Sequence, residues 1–216
     1  MRLRNKNWTK DFIDQNLKFL ITTEEKINST KLFLKKQDTF LEIGCGKGQF
    51  IINQAIQNSN KNFIAMEKES TVIGVALKKA INKENFDLNN LLFLNKFAEN
   101  LLDIFEANSL KGIFLNFSDP WPKAKHYKKR LTYLTFLQIY WELLENNGII
   151  EIKTDNDQLY NFSLDQIKES KFKVLYNTSD LYSNKGLLKD NIPTEYEQKF
   201  HSIGKKINKI IIKKEV

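Results

Sequence analysis

The segment Asn116-Phe117-Ser118-Asp119-Pro120-Trp121-Pro122-Lys123 holds a carboxylate beside an indole, between two prolines. Proline fixes its own φ and restricts the residue before it, so Asp119 and Trp121 are both conformationally constrained. The apolar run Gly112-Ile113-Phe114-Leu115 leads into the segment, and the basic run Lys125 to Arg130 follows it. An acid and a flat aromatic on a rigid strand-end loop, at the entrance to a positive surface, suit the gripping of a planar heterocycle. Taken alone, the same residues also read as a proline-rich turn that caps a strand.

A second constellation lies upstream. Glu42-Ile43-Gly44-Cys45-Gly46-Lys47-Gly48 ends a strand-like run in glycines, which let the backbone turn sharply and approach a ligand. The spacing is Gly-x-Gly-x-Gly, not the Gly-x-Gly-x-x-Gly of dinucleotide sites. Glu42 would repel a pyrophosphate and suits a cationic ligand or a ligand amine. S-adenosylmethionine, a sulfonium nucleoside with an amino-acid tail, meets that description. Glu67 follows Gly44 by 23 residues, the region where nucleotide-binding sheets place the acid that accepts from ribose hydroxyls, about 20 residues past the glycines. Asn95-Lys96-Phe97-Ala98-Glu99 should face an adenine, with Phe97 either stacking on the ring or serving as an ordinary core aromatic. Asp155-Asn156 follow a further strand. Thr194-Glu195-Tyr196-Glu197, after Pro193, matches a helix start with Thr194 as N-cap and Glu197 in the capping-box position. His126 and His201 have no partners at metal-ligand spacing, so no metal site is expected.

The elements that must position these residues alternate. Strands are expected over Thr39–Ile43, Asn62–Met66, Leu91–Leu94, Gly112–Phe117 and Gly148–Thr154, with late strands over Phe172–Asn177 and Ile207–Ile212. Helices are expected over Phe50–Gln57, Val72–Asn82, Leu101–Phe105, Leu131–Glu145 and Tyr160–Ser170. Apolar strands alternating with helices imply a parallel sheet covered on both faces. Ligands of such sheets bind beyond the carboxyl ends of the strands, which would bring the ends of the first five into one crevice. Residues 8–36 read as helical and amphipathic, so residues 1–36 are expected to be a helical extension and 37–216 the main domain.

The 216 residues fit one domain with an extension, and 41% hydrophobic residues are enough for a core. The formal charge of +8 favours a polyanionic partner, with nucleic acid first. Basic residues cluster at Met1 to Lys6, at Lys123 to Arg130 and at Lys205 to Lys214. One cysteine, Cys45, excludes an intrachain disulfide and fits a reducing compartment. No apolar run reaches spanning length and no h-region follows the charged amino terminus, so a cytoplasmic location away from membranes is expected.

Together, the glycine loop, Asn116 to Lys123, Arg130-Leu131-Thr132, Thr154-Asp155-Asn156 and Thr194 to Glu197 closely resemble the bacterial tRNA (guanine-N7-)-methyltransferases. The segments occur in the family's order, from about residue 39 to 200. The resemblance implies a Rossmann-like α/β fold with a mostly parallel seven-stranded sheet and helices on both faces. It implies S-adenosylmethionine as methyl donor and a guanine in the variable loop of tRNA as acceptor. Glu42, Gly44, Gly46, Glu67 and the Phe97 position would bind the cofactor. Asp119 would be the catalytic acid, also near the cofactor. Lys123, Asp155, Thr194, Glu195, Tyr196 and Glu197 would contact the tRNA. The family usually carries Asp or a similar polar residue where Phe97 stands, which leaves backbone contacts or stacking to read adenine here. Oligomeric state, monomer or homodimer, is not readable.

Guanine N7 has a lone pair and no proton, so attack on a sulfonium methyl needs no base at the nucleophile. Alignment should dominate catalysis, since orientation supplies about 7–11 kcal/mol in favourable cases. Asp119 would stabilise the positive charge that develops on the ring, while Lys125, Lys128, Lys129 and Arg130 would meet phosphates. The residues alone also allow a methyltransferase for another substrate or a non-catalytic RNA-binding module. A nicotinamide-dependent oxidoreductase is disfavoured by the glycine spacing.

Overall fold

The apolar runs that alternate with helical segments build a seven-stranded mixed sheet in the computed structural model, which describes residues 6–23 and 25–216. Residues 1–5 of the amino-terminal basic cluster lie outside the described residues. The chain divides into two units, one reaching to Glu106 and the other spanning Ala107–Val216.

In the first unit the strands run in the order β3-β2-β1. These are β1 (Thr39–Ile43), β2 (Asn62–Met66) and β3 (Leu91–Leu94), all parallel, with Leu41 opposite Ile64 and Ile64 opposite Leu92. Every residue of β1 and β2 is buried, as expected of strands covered on both faces. The covering helices include α2 (Gln49–Gln57) and α3 (Ser70–Ile81); a short helix, α4 (Leu101–Ile104), follows β3.

The amino-terminal segment departs from the helix expected over residues 8–36. Helix α1 covers only Trp8–Gln15, followed by 3-10 turns at Leu17–Phe19 and Ser29–Lys31. Thr9 of α1 packs against Gly74 of α3, where an added Cβ would lie 2.9 Å from that of Thr9. Beyond the first turn, the chain pairs with a strand edge instead of coiling. Leu20 bridges Phe93, and Ile27 bridges Phe105. The Ile21 amide donates to the Phe93 carbonyl at 2.8 Å. Ile21 and Ile27 are buried there. An open β-edge offers backbone partners that a local apolar count does not register.

In the second unit the order is β4-β5-β7-β6. Strands β4 (Leu110–Asn116) and β5 (Leu144–Thr154) are parallel. Strand β7 (Asn208–Lys213) runs antiparallel to both β5 and β6 (Lys173–Thr178). Helices α5 (Leu134–Leu143) and α6 (Asp157–Lys168) follow β4 and β5 in the chain, and α7 (Lys185–Lys189) and α8 (Glu195–Ser202) precede β7. Leu115, Leu137, Tyr140, Leu143 and Ile150 are fully buried in this unit. Among the described residues, no helix is long and apolar enough to cross a membrane.

Candidate active site

Within the first unit, parallel pairing places the carboxyl ends of β1, β2 and β3 along one edge of the sheet. The glycine loop begins there. The amides of Gly44 and Cys45 both donate to the Met66 carbonyl, at 2.8 and 2.9 Å. Gly44 (φ 77°) and Gly46 (φ 55°) take left-handed conformations, and nothing lies within 4 Å of where their Cβ atoms would stand. The loop therefore presents backbone to open space, a cradle that side chains would fill. Gly48 differs, because its Cβ would sit 3.0 Å from that of Ala76, so its hydrogen allows α2 to start close to α3.

Glu67, half-buried just past β2, points its carboxylate back to this loop. One oxygen accepts from the Gly46 amide at 3.2 Å, and the other from the Glu69 amide at 3.1 Å. Asn95, past β3, donates its side-chain amide to the Glu67 and Lys68 carbonyls at 2.7 and 3.0 Å. Asn95 thus ties two loop tips together; an amide at a strand end was the only signal for it. Glu42 is buried in β1. Burial first, then the charges of Glu42 and Glu67, push the Cys45 thiol well above its ordinary 9.0. A thiol so held is neutral and no nucleophile. Phe97 is 55% exposed, so the core reading of that residue is excluded, and its ring is open to a ligand. These features fit a nucleoside with a cationic tail: open backbone, a carboxylate for hydroxyls, a buried acidic side chain and an accessible ring.

Within the second unit, the carboxyl ends of β4 and β5 share one edge. The loop after β4 starts and turns on two left-handed non-glycine residues, Phe117 (φ 50°) and Trp121 (φ 41°), with Asp119 exposed between them. Lys123 is exposed at the start of a 3-10 segment, Ala124–Lys129, that carries Lys125, Lys128 and Lys129 on the surface. Lys129 lies over the Trp121 ring at 4.9 Å, and His126 meets that ring edge-on at 5.6 Å. The Arg130 guanidinium, expected to meet phosphate, donates to the loop carbonyls of Pro120 and Trp121.

Asp155, past β5, pairs with Lys205 at 2.9 Å, its side chain 12% exposed. Their hydrogen bond and opposite charge raise the Lys205 pKa. Asn156 caps α6, accepting from the Leu159 amide at 2.8 Å. The Phe117 and Tyr196 rings lie 4.9 Å apart, and Tyr196 stacks on Phe200 at 4.1 Å.

The four residues Thr194 to Glu197 divide. Glu195 and Tyr196 are exposed. Thr194 and Glu197, expected to contact substrate, are turned to the fold and form the complete capping box of α8. Glu197 has no exposed side-chain surface and pairs with Lys153 at 2.6 Å. Its other oxygen accepts from Asn191 at 2.6 Å and Tyr182 at 3.2 Å. A carboxylate with these three side-chain donors and the Thr194 amide at 3.3 Å is committed to holding α8 in place.

The carboxyl-terminal basic cluster is also largely engaged within the fold. Lys209 pairs with Glu151 at 3.1 Å. Lys214 donates to Asn108 and to the Trp141 and Leu144 carbonyls, each at 2.8 Å. Lys123 to Lys129, by contrast, is displayed as an open basic surface.

A family model described as "Putative methyltransferase" matches residues 36–210. Curated proteins named tRNA (guanine-N(7)-)-methyltransferase match nearly end to end. The Mesoplasma florum protein is 57% identical and the Mycoplasma capricolum protein 54%, each with 99% of both chains covered. The Pediococcus pentosaceus protein is 40% identical over 97% of this chain and 98% of its own. Among solved structures, an antibiotic-related methyltransferase aligns with a TM-score of 0.59 at 17% identity, over 90% of this chain and 97% of its own. The 16S rRNA methyltransferase KamB aligns at 0.59 and 14%, over 83% and 89%. At those identities the structural likeness shows the Rossmann-like fold.

Proposed function

Since the chain belongs to the tRNA (guanine-N(7)-)-methyltransferase family, we propose how its residues divide the transfer of a methyl group from S-adenosylmethionine to N7 of a guanine in tRNA. The acceptor in this reading is a guanine of the variable loop, and the protein works in the cytoplasm. The observation that carries the reading is the Glu67 carboxylate standing at the open backbone of Gly44 and Gly46.

The first unit holds the cofactor. Gly44 and Gly46 let it approach the backbone, Glu67 accepts from its ribose hydroxyls, and buried Glu42 favours its cationic end. Phe97 offers a face for adenine, in place of a polar side chain. When bound, S-adenosylmethionine supplies an electrophilic methyl group.

The second unit holds the acceptor. Lys123, Lys125, Lys128 and Lys129 bind tRNA phosphates. Asp119, the catalytic residue, hydrogen-bonds donor groups on the guanine and stabilises the positive charge that methylation places on the ring. Asp155, Glu195 and Tyr196 help hold the base and its neighbours. No residue has to remove a proton from N7, which has none. Thr194 and Glu197 serve this surface indirectly, by fixing the start of α8. Incubating unmodified tRNA with the protein and S-adenosylmethionine, followed by nucleoside mass spectrometry, tests the reading.

A further inference from the structure

We infer that Arg130 is a positioning residue for the Asp119 loop and not a contact for tRNA phosphate. The loop is strained where it turns. Trp121 holds φ at 41° and Phe117 at 50°, conformations unfavourable for any residue with a Cβ. The two prolines that flank Trp121 have no amide hydrogen, so local turn hydrogen bonds cannot come from either position. The carbonyls around Trp121 need a donor from elsewhere.

Arg130 supplies it. Its Nε donates to the Pro120 carbonyl at 2.8 Å and its Nη2 to the Trp121 carbonyl at 3.2 Å. Those two carbonyls belong to the peptide planes before and after Trp121. One planar guanidinium therefore fixes both planes and, with them, the strained residue. The guanidinium also lies 4.3 Å from the ring centre of Phe162 on α6, which covers one of its faces. Its own backbone is anchored, with the amide donating to Tyr127 and the carbonyl accepting from Tyr133. Arg130 is half-buried, whereas Lys125, Lys128 and Lys129 are exposed. The last cation of the run thus differs in role from its neighbours. A lysine ammonium is a point charge and cannot bridge two carbonyls with the rigid fork of a guanidinium.

The inference rests on the methyl-transfer reading, with Asp119 in the reaction, and goes beyond it by separating clamp from phosphate contact. The test compares wild type, Arg130→Lys, Arg130→Met, Phe162→Leu and Lys128→Ala. Two quantities are read: kcat at saturating tRNA, and the salt slope of tRNA affinity measured without cofactor. The clamp predicts that Arg130→Lys, Arg130→Met and Phe162→Leu each lower kcat by on the order of 10- to 100-fold, the cost of a small misplacement. It predicts a wild-type salt slope for all three, while Lys128→Ala lowers the slope by about one phosphate contact. A phosphate contact predicts the reverse: wild-type kcat in Arg130→Lys and a lowered slope in Arg130→Met. Either of those results overturns the clamp. If Arg130→Met does not fold, Arg130→Lys and Phe162→Leu decide, because each keeps the positive charge. Absence of turnover in the wild type would sink the reaction itself, an outcome distinct from turnover that survives in Arg130→Lys.

Discussion

The ammonium of Lys153 lies 2.6 Å from a carboxylate oxygen of Glu197, and neither side chain has any exposed surface. The same ammonium donates to the Asn191 side chain at 3.2 Å and the Ile192 carbonyl at 2.9 Å. One lysine near the end of β5 therefore holds the segment from Asn191 to α8, which carries Glu195 and Tyr196. Breaking a buried pair by removing one partner leaves an uncompensated charge, at about 3–5 kcal/mol. Lys153→Met should lower stability by about that amount in urea unfolding, with a Tm drop on the order of 10 °C. A change below about 1 kcal/mol would mean that the pair does not hold α8.

Tyr182 reads the same cluster from the alkaline side. Burial, followed by the charge and hydrogen bond of Glu197, pushes its hydroxyl from 10.0 up to about 12. The native state keeps a proton that the unfolded chain releases first. The stabilisation is thus complete below pH 10.0 and lost as pH rises through about 12. Stability of Tyr182→Phe should fall less steeply across that window than that of wild type. Tyr160 and Tyr196 are raised as well and keep their share of the fall in the variant. Equal slopes in the two proteins would contradict the assignment.

Glu67→Gln should weaken S-adenosylmethionine binding by roughly 10- to 100-fold, from the about 1.5–3 kcal/mol of hydrogen bonds to a charged group. Isothermal calorimetry without tRNA reads this directly. Wild-type affinity in the variant would remove Glu67 from the cofactor site.

Affinity for tRNA should fall steeply with salt, and each of Lys125→Ala, Lys128→Ala and Lys129→Ala should reduce the slope by about 0.7–0.9. Lys209→Ala should leave the slope unchanged, because that lysine is buried against Glu151. A slope that responds to Lys209 and not to the surface lysines would move the RNA surface elsewhere.

What the sequence disclosed follows the range of the forces involved. Strands β1, β2 and β3 match their expected bounds because each is a short apolar run with polar flanks. The cap of α8 was legible for a similar reason, since Thr194 and Glu197 interact across three residues. The amino-terminal segment is helical only to Gln15, because the pairing beyond it depends on Phe93 and Phe105, far along the chain. Lys153 and Arg130 were hidden by their charge. Composition assigns cations to solvent or phosphate, and only distant partners, Glu197 for one and Phe162 for the other, reveal a supporting role. The C-terminal lysines misled in the same way: Lys209 and Lys214 count toward net charge but sit among internal acceptors.

The most direct test of the account is a single methylation assay of wild type and Asp119→Ala with unmodified tRNA and methyl-labelled S-adenosylmethionine, read by nucleoside mass spectrometry. The account predicts labelled 7-methylguanosine from wild type, its near-complete loss in Asp119→Ala, and tRNA binding retained by the variant. Label in another nucleoside, or undiminished 7-methylguanosine from Asp119→Ala, would contradict it.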